Sequence, residues 1–169
     1  MYACLEKAGV PRDIAESYYK EVIQKGEFSL ENFLETLLVR KKIMRINPKE
    51  VYEEIMKECK NFLNTDLIKI VKKIGKDDCF IVTNGEKKFQ EDKMKHSGIT
   101  SLFSETYIVP NSKKAVIEKI CSEFKNEKVI FTDNNPIFFK DFDMAKCPNL
   151  KTILYDKQGL EKLKAEINT

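Results

Sequence analysis

The 169-residue chain is long enough for one domain of ordinary size, and 42% of its residues are hydrophobic, so it can bury a core. Although 34% of the residues are charged, the formal net charge is only +3. The basic residues are mostly lysines, interleaved with acids along the whole chain. This pattern argues against the clustered basic face of a nucleic-acid-binding protein, so we expect no nucleic-acid partner.

The cysteine pattern and the hydropathy pattern bear on the compartment. The five cysteines form no C-x-x-C pair, and they are Cys4, Cys59, Cys79, Cys121 and Cys147. We interpret them as reduced, buried thiols and not as zinc ligands, since the single histidine, His96, has no metal-ligand neighbour. No run approaches the ~18 apolar residues of a membrane span, and the N-terminus does not resemble a signal peptide. We therefore expect a cytoplasmic protein with no membrane partner.

The first half of the chain reads as a series of helices. Apolar residues recur at helical spacing in four segments, which are PRDIAESYYKEVIQKG, SLENFLETLLVRKKIM, NPKEVYEEIMKECKNFL and TDLIKIVKKIG. Pro11 and Gly26 mark the start and end of the first segment, and Asn47 and Pro48 mark the start of the third. Gly75 marks the end of the fourth. These signals predict an all-helical region over residues 1–65.

The second half alternates short apolar strands with helical segments. The strand segments are CFIVT, TYIV, KVIFTD and KTILYD, and each is followed by a polar segment with helical character. Continuous apolar strands that alternate with helices are typical of a parallel sheet covered on both faces. We therefore predict an α/β fold, with a Rossmann-like parallel sheet core over residues 66–169 preceded by a helical cap over residues 1–65.

Polar residues collect where these strands end. In an open parallel sheet, ligands bind outside the carboxyl ends of the strands. The residues predicted there are Thr83, Asn84 and Gly85 after the first strand, Lys113 or Lys114 at the start of a helix, and Asp133 and Asn134 after the third strand. A hydroxyl, backbone amides and a lysine suit a phosphate, and an aspartate is the hard oxygen ligand that Mg²⁺ prefers. The pattern predicts a phosphate and Mg²⁺ site.

Each of these residues also has a purely structural interpretation. Asn84-Gly85 is a common turn pair, and a lone lysine such as Lys113 is usually solvated. Asp133 with its following asparagines is also consistent with a loop and a helix cap. The order of the signals along the chain, at the ends of successive strands, favours the functional interpretation.

The segment CFIVTNGEKKFQEDKMKHSGITSLFSETYIV resembles the second conserved segment of the haloacid-dehalogenase-like (HAD) hydrolases. The matching residues are Thr83, Asn84, Gly85, Gln90, Lys93, Gly98 and Phe103. NSKKAVIEKI is similar to the third motif of that family, with Lys113 as the better match and Lys114 as the alternative. KVIFTDNNPIFFKDFDMAKCPNLKTILYD resembles the fourth motif, although Asn134 stands where the family has a second acid. The helical part is similar to the family's helical cap.

The resemblance implies a Mg²⁺-dependent phosphatase for a small phosphorylated metabolite, acting through an aspartyl-phosphate. It implies Thr83 and Lys113 as catalytic residues, with Thr83, Asn84, Gly85 and Lys113 as phosphate ligands. It implies Asp133 and Asn134 as metal ligands. The family's nucleophile lies in a DxDx(T/V) segment at the end of the first strand, which is absent here. The single D-x-D, Asp141-Phe142-Asp143, follows the fourth motif in a helix-like segment.

Two explanations of the missing segment compete. Either the chain is a fragment of an ordinary hydrolase, which we favour and expect to be inactive alone, or it is a degenerate relative that only binds phosphate or a protein. Without the family's first strand, the neighbouring strands must either pair directly or leave exposed edges, and exposed edges would favour self-association. A receiver domain, which is also an α/β fold with an aspartate and a lysine, fits poorly because the first seventy or so residues are helical.

Overall fold

The computed structural model of the chain describes residues 1–24, 28–40, 46–140 and 142–168. Within these ranges it contains eight α-helices, four β-strands and three short 3₁₀ helices. The α-helices are α1 (Tyr2–Lys7), α2 (Arg12–Gln24), α3 (Leu30–Arg40), α4 (Pro48–Lys57), α5 (Thr65–Ile74), α6 (Lys87–Ser97), α7 (Lys114–Glu123) and α8 (Lys157–Ile167). The strands are β1 (Phe80–Asn84), β2 (Glu105–Val109), β3 (Val129–Asp133) and β4 (Leu150–Leu154).

Most of the predicted elements are present with the predicted caps. Asn47 begins α4, and its side-chain oxygen accepts a hydrogen bond from the amide of Lys49 at 3.0 Å. Gly75 ends α5 with a φ of +104°. Helix α1 has no counterpart among the predicted elements. The predicted stop at Gly26 lies outside the described residues, as does Asp141.

Contacts divide the chain into two compact units. The helical unit comprises Met1–Leu63 and Gly85–Ser101, and the sheet unit comprises Asn64–Asn84 and Leu102–Thr169. Helix α6, which follows β1 in the sequence, thus belongs with the helices of the first half. The division into a cap over residues 1–65 and a core over residues 66–169 stays a prediction.

The core of the helical unit is built from the apolar faces of α1 to α4. Phe33 is 1% exposed, and the ring of Tyr18 stacks on it with centroids 5.2 Å apart. The other fully buried large side chains of this core are Leu5, Val10, Leu30, Leu34, Leu37 and Met56. Phe89 of α6 is half-buried and packs on the same cluster. The helical spacing of these apolar residues therefore places them on one continuous core.

The four strands of the sheet unit form two separate pairs. Strand β1 pairs with β2, and β3 pairs with β4, both in parallel. Over the described part of the unit, the two pairs belong to separate two-stranded sheets. The protein is therefore a mixed α/β fold with two small parallel sheets, and the predicted continuous Rossmann-like sheet is not confirmed.

Helices cover both faces of the β3–β4 pair. Phe131 packs with Ile117 and Cys121 of α7 on one face, and Val82 of β1 joins this cluster. On the other face Ile153 packs with Ile70 of α5 and Leu163 of α8. Side chains of one strand alternate between the two faces, so a continuous apolar strand needs cover on both.

The cysteines of the chain are all free thiols, as predicted, and all but Cys59 are buried. Cys121 of α7 lies beside Cys147, and burial together with this neighbour raises the pKa of the Cys121 thiol to about 12. The Cys121 thiol is therefore not in the reactive thiolate form near neutral pH. Every helix in the described ranges is too short or too polar to cross a lipid bilayer.

Asn149 provides a test of how the β3–β4 pair is held to α7. Its side-chain amide donates to the carbonyl oxygens of Cys121, Phe124 and Glu127, at 3.3, 2.9 and 2.9 Å. We expect Asn149→Ala to lower the free energy of unfolding by about 2 kcal/mol, because these carbonyls lose a shared donor. Urea unfolding measures the change. The control is Asn61→Ala, which removes an exposed bond to Glu58 and should change stability by no more than about 0.5 kcal/mol.

Candidate functional site

The predicted lysine opens helix α7, and its side chain is buried. Lys113 is the residue before the first turn of α7 and is 8% exposed. Its ammonium nitrogen Nζ donates to Oδ2 of Asp133 at 2.5 Å. The two side chains are only 9% and 8% exposed. In each other ion pair recorded between described residues, at least one of the two side chains is more than a third exposed. The structure therefore brings together two of the predicted site residues.

Aromatic rings complete the surroundings of the ammonium. Nζ of Lys113 lies 4.5 Å from the ring centroid of Phe138 and 5.8 Å from that of Phe131. A cation over an aromatic face is attracted by the ring quadrupole, and the attraction grows when water is excluded. Phe138 is not among the predicted site residues, although the apolar run PIFF begins only three residues after the end of β3.

The Lys113 ammonium has hydrogen-bonding capacity left over. An ammonium group carries three N–H donors. Among the residues that the structure describes, Asp133 is the acceptor with which Lys113 forms a hydrogen bond. Two donor directions of a buried cation are therefore available to oxygen atoms of a ligand, and anionic oxygens are the acceptors that suit it best.

Asp133 is engaged on both of its carboxylate oxygens. Oδ2 accepts from Lys113, and Oδ1 accepts from the backbone amide of Asn135 at 2.8 Å. Asn135 in turn begins the 3₁₀ helix Pro136–Phe139 through a 3.1 Å bond from the amide of Ile137 to its side chain. Asp133 therefore stabilises the loop after β3, as its structural interpretation predicts, and contacts the lysine at the same time.

Asn84, one of the predicted phosphate ligands, holds the loop between β2 and α7. Its side-chain amide donates to the carbonyl oxygens of Val109, Pro110 and Asn111, at 3.2, 2.8 and 2.7 Å. These bonds hold the β2–α7 loop against the end of β1, and the last of the three carbonyls, that of Asn111, lies two residues before Lys113 in the sequence. In this arrangement Asn84 fixes the loop that carries the lysine, because three carbonyls depend on one amide group.

The remaining predicted residues are less closely connected to this pair. Thr83 is half-buried in β1, in register with Ile108 of β2. Gly85 belongs to the helical unit, and Asn134 is exposed. Lys114, the alternative motif lysine, has a side chain that is 42% exposed and lies 3.8 Å from Glu118. The burial of the two lysines therefore favours Lys113 over Lys114.

The described residues do not by themselves fit a Mg²⁺ ion. No three histidine, cysteine, aspartate or glutamate side chains are grouped to hold a metal within the described ranges. Asp133 is one carboxylate, and both of its oxygens already accept hydrogen bonds. Mg²⁺ requires near-octahedral oxygen coordination, with one or two carboxylates besides water and phosphate. The described residues therefore support no reaction step that passes through a metal ion.

Two clefts in the structure lie away from these residues. One, of about 230 Å³, is lined by residues of α5 and α8, including Lys69, Lys73 and Lys164. The other, of about 360 Å³, is lined by residues of α2 and α3, including Tyr18 and Arg40. Neither is lined by Lys113 or Asp133.

Comparisons with family models, with curated proteins and with solved structures found no match for the chain. The resemblance to the HAD hydrolases therefore rests on the motif residues alone and remains a hypothesis.

The two neighbouring lysines form a matched pair for testing the ion pair. We expect Lys113→Met to lower the free energy of unfolding by about 3 kcal/mol or more, because it leaves the buried Asp133 carboxylate without its counter-charge. Lys114→Met removes an exposed lysine and should cost no more than about 0.5 kcal/mol. Urea unfolding of both variants decides the matter. Equal, small effects would show that Asp133 is adequately solvated without Lys113.

The glycine of the Thr-Asn-Gly turn has a backbone conformation that other residues rarely adopt. Gly85 has a φ of +135°, and a Cβ at this position would lie 2.7 Å from Nε2 of Gln90. We expect Gly85→Ala to cost about 2 kcal/mol. The control is Gly98→Ala at the end of α6, where φ is +74° and a Cβ meets nothing within 4 Å, with an expected cost of about 1 kcal/mol. Thermal unfolding of the two variants measures the difference, and equal costs would contradict the larger backbone strain that we expect at a φ of +135°.

Proposed function

We propose that the protein is a phosphatase of the HAD type, acting on a small phosphorylated metabolite, whose nucleophilic aspartate comes from polypeptide outside these 169 residues. The observation that carries the proposal is the buried Lys113–Asp133 pair at the end of β3. A buried ion pair seldom stabilises a protein more than apolar residues of the same size would. The presence of this pair therefore supports a functional role for it.

The residues of this chain have distinct tasks in the proposed reaction. Lys113 donates to a non-bridging oxygen of the phosphoryl group and neutralises charge that develops in transfer. Asp133 holds the ammonium in place from one side, and Asn84 holds the loop from which Lys113 extends. Thr83 donates its hydroxyl to a second phosphate oxygen, as the resemblance implies. The attacking carboxylate must approach from outside the described residues.

Mg²⁺ belongs to this proposal only as a cofactor that the resemblance implies. Asp133 and Asn134 are its proposed protein ligands, together with the aspartate that the chain lacks. A second carboxylate would supply the charge that the described residues do not provide.

A second candidate is a non-catalytic module that binds phosphate or a phosphorylated ligand. One observation favours it: both oxygens of Asp133 are taken up by Lys113 and by the loop amide of Asn135, which is a structural use of the motif acid. In this case the free donors of Lys113 bind an anion and no transfer follows.

Phosphate binding and phosphate hydrolysis separate the two candidates. Both candidates predict that the 169-residue chain binds inorganic phosphate. Lys113→Met should weaken this binding at least about tenfold, because one charge-assisted hydrogen bond to the phosphate is lost. Lys114→Met should leave the binding unchanged. Isothermal titration calorimetry measures this. Equal binding by both variants would remove Lys113 from the site.

Hydrolysis is then measured on a chain extended at its N-terminus by an apolar strand that ends in Asp-x-Asp-x-Thr. The phosphatase predicts Mg²⁺-dependent release of p-nitrophenol from p-nitrophenyl phosphate by this chain, and none by the 169 residues alone. The control extension carries asparagine for the first aspartate and should be inactive, since the amide is a poor nucleophile. Binding of phosphate without turnover in the extended chain would favour the binding module. Full activity of the unextended chain would contradict the role of the missing aspartate.

A further inference from the structure

A cleft between helices α5 and α8 of the sheet unit has a lysine rim and an isoleucine floor. Its volume is about 230 Å³, and its lining residues are Lys69, Ile70, Lys73, Lys164, Ile167 and Asn168. All six belong to the described part of the chain, and the charged ones are all lysines. Ile70 is 9% exposed, and Ile167 is partly buried on the same apolar cluster, whereas Lys69 and Lys73 are exposed. We call this feature the α5–α8 cleft.

Two hydrogen bonds set the helices of the cleft side by side in the same direction. At their amino-terminal ends, the side-chain amide of Asn64 donates to the hydroxyl of Tyr155. At their carboxyl-terminal ends, the ammonium of Lys73 donates to the side-chain oxygen of Asn168. The lining residues lie towards the second of these ends, so lysines of both parallel helices border one groove.

The three ammonium groups of the rim are only weakly held by neighbours. Lys69 lies 3.4 Å from Asp66, and its side chain is 78% exposed. Lys164 lies 2.7 Å from Glu161, whose side chain is 69% exposed. Exposed ion pairs of this kind contribute little, because water and salt screen them. The partner of Lys73 is the neutral side chain of Asn168, which cancels none of its charge.

Helices α5 and α8 together carry as much excess positive charge as the whole chain. They contain six lysines and three acids, a net charge of +3. The formal net charge of all 169 residues is also +3, so the remaining residues balance one another. The two helices are far apart in the sequence, and only the fold brings their lysines together. This concentration of charge attracts anionic partners to one surface.

The size and the floor of the cleft select among anionic partners. Small-molecule sites usually measure about 300–1,000 Å³, which is more than this cleft offers. A cavity of about 150 Å³ holds a benzene ring, so the cleft has room for an apolar side chain. A nucleic-acid backbone brings phosphates but no apolar group to the isoleucines, and a flat bilayer surface does not enter a groove. A peptide brings carboxylates and an apolar side chain together.

We propose that the α5–α8 cleft is the docking site for an acidic segment of a partner protein, in which an apolar side chain lies between carboxylates. The apolar side chain packs on Ile70 and Ile167 and removes them from water. The carboxylates accept hydrogen bonds from Lys69, Lys73 and Lys164. Charge complementarity determines the partner, and the apolar floor determines where along the segment it binds. Lys113 does not line this cleft, and the docking site is independent of the proposed function.

NMR titration of the full 169-residue chain with a synthetic peptide tests the docking site. The probe has the centre Glu-Asp-Leu-Leu-Asp-Glu, and we expect saturable shifts of the amide signals of residues 69–73 and 164–168. Serine in place of both leucines should weaken binding at least about tenfold, because the apolar contact is lost. Lysine in place of the four acids should abolish binding. Absent or evenly spread shifts, or equal binding by the leucine and serine peptides, would overturn the proposal.

Three lysine variants separate the cleft from the general charge of the protein. Lys73→Gln and Lys164→Gln should each weaken peptide binding about threefold, as the loss of one exposed charge pair does. The matched control is Lys157→Gln, which makes the same change of net charge in α8 outside the cleft and should leave binding unchanged. Urea unfolding should give the same midpoint for all three, so that lost binding is not lost folding. Equal weakening by Lys157→Gln would overturn the role of the cleft.

The remaining outcomes assign the cleft to a different occupant. Sedimentation with vesicles of phosphatidylserine and phosphatidylcholine, lost in Lys73→Gln and combined with no response to the peptide, would assign it to a membrane surface and overturn the proposal. Shifts of residues 69–73 and 164–168 that grow with protein concentration alone, together with a dimer in analytical ultracentrifugation, would assign it to a second copy and also overturn it. Phosphate binding and hydrolysis at Lys113 are measured separately, so either proposal can fail without the other.

Discussion

The ion pair of Lys113 and Asp133 connects the two halves of the sheet unit. Lys113 follows β2, and Asp133 ends β3, so this hydrogen bond joins two strand pairs that form separate sheets. The contact is buried beside Phe138, where water competes little with the carboxylate. The geometry of any anion site at this edge depends on it, because the ammonium has no other charged partner among the described residues.

The loop between β2 and α7 fixes the position of Lys113 relative to Asp133. A lysine side chain has four rotatable bonds, so its head group is positioned only if the backbone that carries it is fixed. Asn84 provides that fixation with three bonds to the carbonyls of residues 109–111. Asn149 has the same kind of role at the other end of α7, where it also donates to three carbonyls. Two asparagines thus hold the helix that joins the two sheets at both ends.

The sequence predicted local structure better than it predicted assembly. Caps at Asn47 and Gly75 and the apolar strand runs are short-range signals, and the structure has those elements. The proximity of Lys113 and Asp133 could be predicted, because the carboxyl ends of parallel strands lie at one edge of a sheet. The role of Asn84 could not be predicted, because it depends on a loop 25 to 27 residues further along the chain. The break between β1 and β3 could not be predicted either, since both strands have the composition of central strands.

The engagement of Asp133 constrains what the site can do. Lys113 and the amide of Asn135 each use one lone pair on a different oxygen of this carboxylate, which has about four lone-pair sites, so a metal ion at either oxygen would share it with one of these donors. A cation that weakens the bond to Lys113 leaves a buried ammonium that needs another anion. An added carboxylate or phosphate beside Lys113 would meet that need. Without a ligand, the hydrogen bond between Lys113 and Asp133 is therefore favoured. An anionic ligand can accept from the other donors of Lys113 while that hydrogen bond stays in place.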